Sequence, residues 1–221
     1  MSIYRNYGKR LLDVICAITG LILLAPLLLV AALAVKCTSK GPAFFGQERI
    51  GKDGIPFKIW KFRSMVSNAD KIGPLITASG DSRITPIGRL LRQSKIDELP
   101  QFWNVLTGDM SFVGPRPELP FYVRDYTPEQ RQVLAVRPGI TDPAALEYRH
   151  EEAILAKATD RERFYRDVLL PHKLSMNLEY IRKLSFRYDL ALILRTAGAI
   201  FRRSGPATAI SEGRDEKSEN C

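Results

Sequence analysis

An α+β chain, mostly helical and fixed to a membrane by its N-terminal segment, is what the sequence predicts. Three observations carry that reading. Val14 to Val35 form an uncharged apolar stretch, residues 43–65 hold one pair of β-rich runs, and apolar positions recur at helical spacing through much of the remainder. The chain has 221 residues, enough for one domain with a real core. A net charge of +9 and a pI near 9.6 suit a polyanionic partner: nucleic acid, anionic lipid or a phosphorylated substrate.

As a straight helix the stretch from Val14 to Val35 would extend roughly 33 Å, enough to cross a bilayer. Pro26 in its middle removes a backbone hydrogen bond and favours a kink or a break. The flanks are basic on both sides, with Arg5, Lys9 and Arg10 before and Lys36, Lys40, Arg49 and Lys52 after. A spanning helix usually concentrates its Lys and Arg on one side. Two readings therefore stand: a spanning helix, or a helix–break–helix that enters one leaflet and returns. A cleaved leader ending at Ala32-Leu33-Ala34 is disfavoured, because the apolar core is long and Asp13 interrupts its start.

The next element, AFFGQERIGKDGIPFKIWKFRSM, reads as a β-hairpin turning at Gly51-Lys52-Asp53-Gly54. The period of two puts Phe57, Ile59, Lys61 and Arg63 on one face. After a polar loop over residues 66–84, Thr85 as N-cap and Pro86 in the first turn start a helix whose Arg89 and Arg92 share a face leading toward Asp97. The adjacent acids Asp97 and Glu98 are unusual in so basic a chain. The spacing puts Asp97 at the N-cap of a helix through ELPQFWNVLTG, where the terminus favours an ionised carboxylate and can receive a phosphate. Adjacent residues diverge by about 100° on a helix, so the two acids address different targets. A charged Asp97 with Arg92 upstream suits a nucleophile toward phosphorus or a Mg²⁺ ligand.

Beyond Gly114 the run GPRPELP is rich in turns, and VRPGIT at 136–141 reads as a second tight turn. Residues 150–183 read as an amphipathic helix pair. YDLALILRTAGAIFRRSG at 188–205 has the pattern of a helix that lies in a membrane interface or closes a core. Residues 206–221 read as a disordered tail. Cys16, Cys37 and Cys221 have neither disulfide-framework nor zinc spacing, and His150 and His172 form no helical ligand pair. No phosphate loop, dinucleotide fingerprint, nucleophile elbow or HExxH occurs. Aromatic-basic interleaving of the RNP type is absent, so no nucleic-acid partner is expected.

The stretches YRNYGKRLLDV (4–14), FKIWKFRSM (57–65), GRLLRQSKIDELPQFWNVLTGDMSFVGPRPE (88–118), VRPGIT and YDLALILRT (188–196) together make the chain resemble the bacterial sugar transferases. These are monotopic phosphoglycosyl transferases that move a sugar-1-phosphate from a UDP-sugar to polyprenyl phosphate at the cytoplasmic face of the bacterial inner membrane. The resemblance implies a re-entrant helix broken at Ala25-Pro26 within residues 1–40, and a catalytic domain with interfacial helices over 41–205. It implies the catalytic unit alone, without the multi-helix membrane domain of longer members. Asp97 would attack the β-phosphorus to give an aspartyl phosphosugar and release UMP. Glu98 would help hold Mg²⁺ or handle the acceptor proton, making Asp97 and Glu98 the implied metal ligands. Lys61, Arg92, Pro115, Arg116 and Pro117 would surround the phosphates, Arg149 would meet the donor, and Asp189 matches a further family acid. The family's usual GITGxxQVxGR is here GITDPAALEYRHEE, with Asp142-Pro143 in place of the flexible Gly and Ala145 in place of Gln, which bears on donor recognition. The sugar, the prenyl length and the oligomeric state are left open. The competing reading is a non-catalytic adaptor that binds anionic lipid through its basic surface.

Overall fold

The computed structural model describes residues 4–69, 72–73, 76–77 and 80–201. The expected tail, together with Arg202, Arg203 and Cys221, lies outside them. A π-helical turn, Tyr4–Gly8, leads into α1, Lys9–Thr38. The hairpin follows as β1 (Phe44–Ile50) and β2 (Pro56–Phe62), antiparallel from Phe44↔Phe62 to Ile50↔Pro56. Its turn works as its residues predict, with Asp53 at φ 58° and Gly54 at φ 77°. Next come α2 (Pro86–Gln93), a 3₁₀ turn (Ile96–Glu98) and α3 (Gln101–Thr107). The remainder is β3 (Ser111–Val113), α4 (Pro120–Arg124), a 3₁₀ helix (Gln130–Ala135), β4 (Gly139–Thr141), α5 (Pro143–Glu147), α6 (Glu151–Leu155), α7 (Arg161–Phe164), a π-helical segment (Tyr165–Leu169), α8 (Leu170–Lys183) and α9 (Phe186–Phe201). The α+β class, mostly helical with a small hairpin and one long apolar N-terminal helix, is as predicted.

The 30-residue α1 is long and apolar enough to cross a membrane by length and composition. The break expected at Ala25-Pro26 is instead continuous helix, with Pro26 inside it. Packing accounts for the continuity. Covered positions run along a single stripe, Asp13, Ala17, Gly20, Leu24, Leu28, Ala31 and Val35, at steps of three or four. The stripe docks on the same body before and after the Pro. Ala17 packs with Ile59, Val105 and Met110, while Ala31 and Val35 pack with Phe62 and Leu91. At Gly20 the approach is close: a Cβ there would stand 2.4 Å from the Phe102 ring. Leu11, Ile15, Ile22, Leu23, Leu29, Val30 and Leu33 on the opposite side are bare.

Polar contacts fix the start of α1. Asp13 Oδ1 accepts from Ser111 Oγ and Phe112 N, each at 3.0 Å. Arg10 donates to the carbonyls of Val105 and Leu106 in the last turn of α3; Val105 O also accepts from the Gly108 N–H that caps the helix. The largest apolar cluster among the described residues includes none of α1; in it Tyr122, Val123, Tyr126, Val133, Tyr165, Leu169, Leu170, Leu174 and Leu178 pack together.

Two of three further local expectations are corrected. VRPGIT is only partly a turn, because Gly139–Thr141 forms β4 parallel to β3, with Ser111↔Gly139 and Val113↔Thr141 in register. Residues 150–183 hold the expected helix pair: α6, and a second helix in which α7 runs through the π-helical segment Tyr165–Leu169 into α8, with Asp160 capping its start by accepting from Arg163 N. Asp97 is not an N-cap. Lys95 at φ 58° starts a 3₁₀ turn ahead of α3, and the Leu99 N–H, from which an Asp97 cap would accept, donates to Ile96 O instead.

Candidate active site

The sequence of α2 begins the site. Thr85 Oγ1 accepts from Gly88 N at 3.0 Å and Pro86 occupies the first turn, so the helix starts where the residues predict. At its far end Ser94 N closes on Leu90 O, Lys95 turns left-handed, and the reversal brings Asp97 and Glu98 under the hairpin. Asn104 ties α3 to the hairpin, accepting from Trp60 N at 3.0 Å and donating to Lys58 O at 2.8 Å. One residue beyond Trp60 on β2, Lys61 reaches Glu98.

Glu98 is the hub. Its Oε1 accepts from Lys61 Nζ at 3.0 Å and from Arg116 Nη2 at 2.5 Å. Burial alone would raise its pKa, yet Arg116 and Lys61 outweigh that and hold the carboxyl well below its usual range. Burial lowers the pKa of Lys61, with Glu98 opposing, whereas Glu98 is the main cause that raises the pKa of Arg116. Asp97 is the contrast. It is 5 % exposed, and its Oδ1 is buried without a hydrogen-bond partner. Burial first, and the Glu98 charge second, raise its pKa. Two adjacent carboxyls are thus pushed in opposite directions, one neutralised by cations and one left unpaired.

The Pro115-Arg116-Pro117 run is suspended between β3 and β4. Gly139 N donates to Pro115 O at 3.0 Å, and Arg116 N donates to Asp142 Oδ2 at 2.9 Å. Asp142 also caps α5 by accepting from Ala145 N at 2.7 Å. The Asp-Pro that departs from the family pattern is therefore a helix start that also holds the backbone of Arg116. Pro117 O accepts from Arg49 Nη1 at 3.1 Å.

The other predicted residues lie apart from this cluster in their contacts. Arg92 is paired with Glu152 at the start of α6. Arg149 is exposed, and its Nε donates to His150 Nε2. Asp189 is buried in a separate network, accepting from Lys9 Nζ and Tyr4 Oη at 2.6 Å and from Tyr180 Oη at 2.7 Å. Arg63, expected on one face with Lys61, is drawn to the end of α1, where it donates to Ser39 O and Oγ at 2.8 Å.

Sequence reasoning missed the support behind Arg116. Glu118 accepts from Tyr165 Oη at 2.6 Å and lies 3.6 Å from Arg49. Lys173, buried, contacts Glu151 at 2.9 Å and Glu118 at 3.9 Å. Only the acid beside a Pro-Arg-Pro run hinted at it, because its partners lie far away in the chain. Gln101 was also passed over. It is fully buried on the first turn of α3 with both amide atoms unpaired.

Comparison with known proteins matches this arrangement to a family. The sequence pattern of the family described as bacterial sugar transferase matches residues 4–203. Over 194 residues the chain is 42% identical to a UDP-glucose:undecaprenyl-phosphate glucose-1-phosphate transferase of Klebsiella pneumoniae, covering 85% of this chain and 39% of that protein. It is 36% identical to a UDP-N-acetylgalactosamine-undecaprenyl-phosphate N-acetylgalactosaminephosphotransferase of Aeromonas hydrophila, covering 87% and 43%. It is 37% identical to the exopolysaccharide production protein PSS of Rhizobium leguminosarum bv. phaseoli, covering 85% and 92%. The chain thus spans about two-fifths of the length of the first two relatives and nearly all of the third. Matched from its first described turn through the last helix, this chain belongs to the bacterial sugar transferase family.

Proposed function

We propose that the chain is a phosphoglycosyl transferase that moves a sugar-1-phosphate from a UDP-sugar to polyprenyl phosphate, with Asp97 as the nucleophile. One observation carries this reading: a buried carboxylate oxygen without a partner, set beside a carboxylate that two cations already neutralise. An Asp97 oxygen forms a bond to the β-phosphorus of the donor. The bond from that phosphorus to the bridging oxygen breaks, and UMP departs with the oxygen. A phosphate oxygen of the polyprenyl acceptor then attacks the aspartyl phosphosugar, and the carboxylate leaves unchanged. Lys61 and Arg116, held by Glu98, offset charge on the transferring phosphoryl group, the main requirement of this chemistry.

Mg²⁺ fits Asp97 better than Glu98. Mg²⁺ is commonly held by one or two carboxylates plus substrate phosphates. Asp97 has an oxygen free, whereas Glu98 has its oxygens against Lys61 and Arg116. When bound, the ion would neutralise the diphosphate. Among the described residues no group of three or more acidic, His or Cys side chains converges on a metal position, in keeping with a substrate-borne ion.

The bare apolar face of α1 supports placement in a bilayer. Docking of its covered stripe on one body both before and after Pro26, with basic flanks at both ends, favours a continuous helix seated with both ends at the cytoplasmic face of the bacterial inner membrane over a full crossing. Exposed Phe186, Leu190 and Leu194, each four residues apart on α9, give a second apolar stripe suited to the interface.

The test is UMP release by the purified full chain from a panel of UDP-sugars, first without lipid acceptor at enzyme stoichiometry and then with it. Asp97→Asn should abolish release, and mass spectrometry after donor exposure should find the phosphosugar on Asp97. Lipid product without that adduct would favour direct transfer, and liposome binding without turnover would favour the adaptor.

A further inference from the structure

A carboxamide buried with neither end paired costs stability. Removing such a group in favour of an apolar side chain of the same shape is neutral or stabilising. Gln101 is in this position, with zero exposure and both Oε1 and Nε2 without partners. The backbone from Ile96 to Thr107 follows one right-handed course through the 3₁₀ turn, Leu99, Pro100 and α3. Its inner face is Asp97, Pro100, Gln101, Asn104 and Val105, all buried. Asn104 is fully occupied by Trp60 N, Lys58 O and Asp109. Asp97 and Gln101, four residues apart, are left with complementary unpaired atoms: an acceptor, Oδ1, and a donor, Nε2. The cations of the site are directed elsewhere, Lys61 and Arg116 to Glu98 and Arg92 to Glu152.

We infer that Gln101 is a positioning residue for the reacting carboxylate. In the free protein neither atom is paired; with the donor bound, the Nε2–H donates to Asp97 Oδ1, directly or through one water, and sets the rotation of the carboxylate so that the other oxygen faces the phosphorus. A carboxylate has lone pairs to accept this hydrogen bond and still react. The amide adds no charge, so it orients the nucleophile without drawing off its electrons as an ammonium or guanidinium would. The unpaired amide is then a loss of stability retained for function. This inference rests on Asp97 being the nucleophile.

The experiment compares wild type, Gln101→Met, Gln101→Glu and Asp97→Asn as full chains in detergent, with UDP-glucose and UDP-N-acetylgalactosamine as donor probes. Gln101→Met keeps length and volume without donor or acceptor. It should lower kcat for UMP release by roughly 10- to 100-fold, as misplacement of a reacting group does. Donor KM should stay within about twofold, and Tm should rise by about 2–4 °C, as relief of an unsatisfied buried group does in a chain of this size. Gln101→Glu, with a like charge beside Asp97, should fall further in kcat. An unchanged kcat in Gln101→Met overturns the inference, as does a lowered Tm, which would mean that the amide is a structural member of the core. The two ideas separate cleanly. If Asp97→Asn retains UMP release, the nucleophile is misassigned whatever Gln101 does. If Asp97→Asn is inactive while Gln101→Met is fully active, only the role of Gln101 is lost.

Discussion

Arg116 Nη2 stands 2.5 Å from Glu98 Oε1, the same oxygen that Lys61 reaches at 3.0 Å. One carboxylate oxygen therefore organises two cations that would otherwise repel each other. Removing one partner of a buried ion group leaves the rest uncompensated, a loss on the order of 3 kcal/mol. Glu98→Gln should lower Tm and reduce kcat/KM for UMP release by about 10²–10³-fold. Lys61→Met should do likewise. Because the three side chains act as one group, the Glu98→Gln/Lys61→Met double variant should lose much less than the sum of the single losses, measured by thermal unfolding and by turnover. Fully additive losses would mean that Glu98 acts on substrate independently of Lys61.

Asp189 is held by Lys9, Tyr4 and Tyr180, three donors from the N-terminal segment and α8. Its carboxylate is committed to joining α9 to the start of α1. Asp189→Asn should therefore lower Tm, with activity falling in proportion to the folded fraction and donor KM unchanged. A large rise in donor KM in well-folded Asp189→Asn protein would return the residue to the substrate site.

Much of this was legible because it is local. Thr85-Pro86 carries its own helix start, Lys52-Asp53-Gly54 its own reversal, and the uncharged run to Val35 its own anchor. The two acids stood out against a basic chain. Less could be read where the deciding partner is distant. Ser111–Val113 and Gly139–Thr141 are each three residues long, too short to show a strand period, and become strands only by pairing with each other. Asp142 reads locally as a departure from a flexible Gly. Its second role, holding Arg116 N, depends on a contact 26 residues away. Asp97 as an N-cap was the natural local reading, and it failed because left-handed Lys95 starts a 3₁₀ turn first. Pro26 marks a break by local rules, whereas the stripe docked before and after it keeps α1 helical.

Lys173 gives a pH dependence with a definite sign. Burial alone would lower its pKa, but Glu151 and then Glu118 outweigh this and raise it above its usual value. A lysine with a raised folded pKa contributes stability that is fully present below its unfolded value of about 10.4 and is lost as pH rises through the folded value. The stability gap between wild type and Lys173→Met should be roughly 3 kcal/mol and level from neutral pH to about pH 10, then shrink at higher pH. Chemical unfolding at a series of pH values measures it. A gap that widens with alkalinity would contradict this pairing.

Gly139 sets how closely β4 can approach β3. A Cβ there would lie 2.1 Å from Gly114 N and 2.5 Å from Gly114 O, both backbone atoms that a side-chain rotation cannot relieve. Pro115 O accepts from Gly139 N, so the strain falls on the segment that carries Arg116. Gly139→Ala should cost about 1–3 kcal/mol of stability, as overpacking does. Its activity should fall further than its folded fraction, because Arg116 moves away from Glu98. Gly198→Ala is the matched control. It lies in α9, where an added Cβ meets nothing within 4 Å, and Ala there should stabilise the helix by roughly 0.5–1 kcal/mol with activity unchanged. Thermal unfolding with UMP release on both variants decides the matter: a Gly139→Ala protein as stable and active as Gly198→Ala would mean that the β3–β4 contact does not hold Arg116 in place.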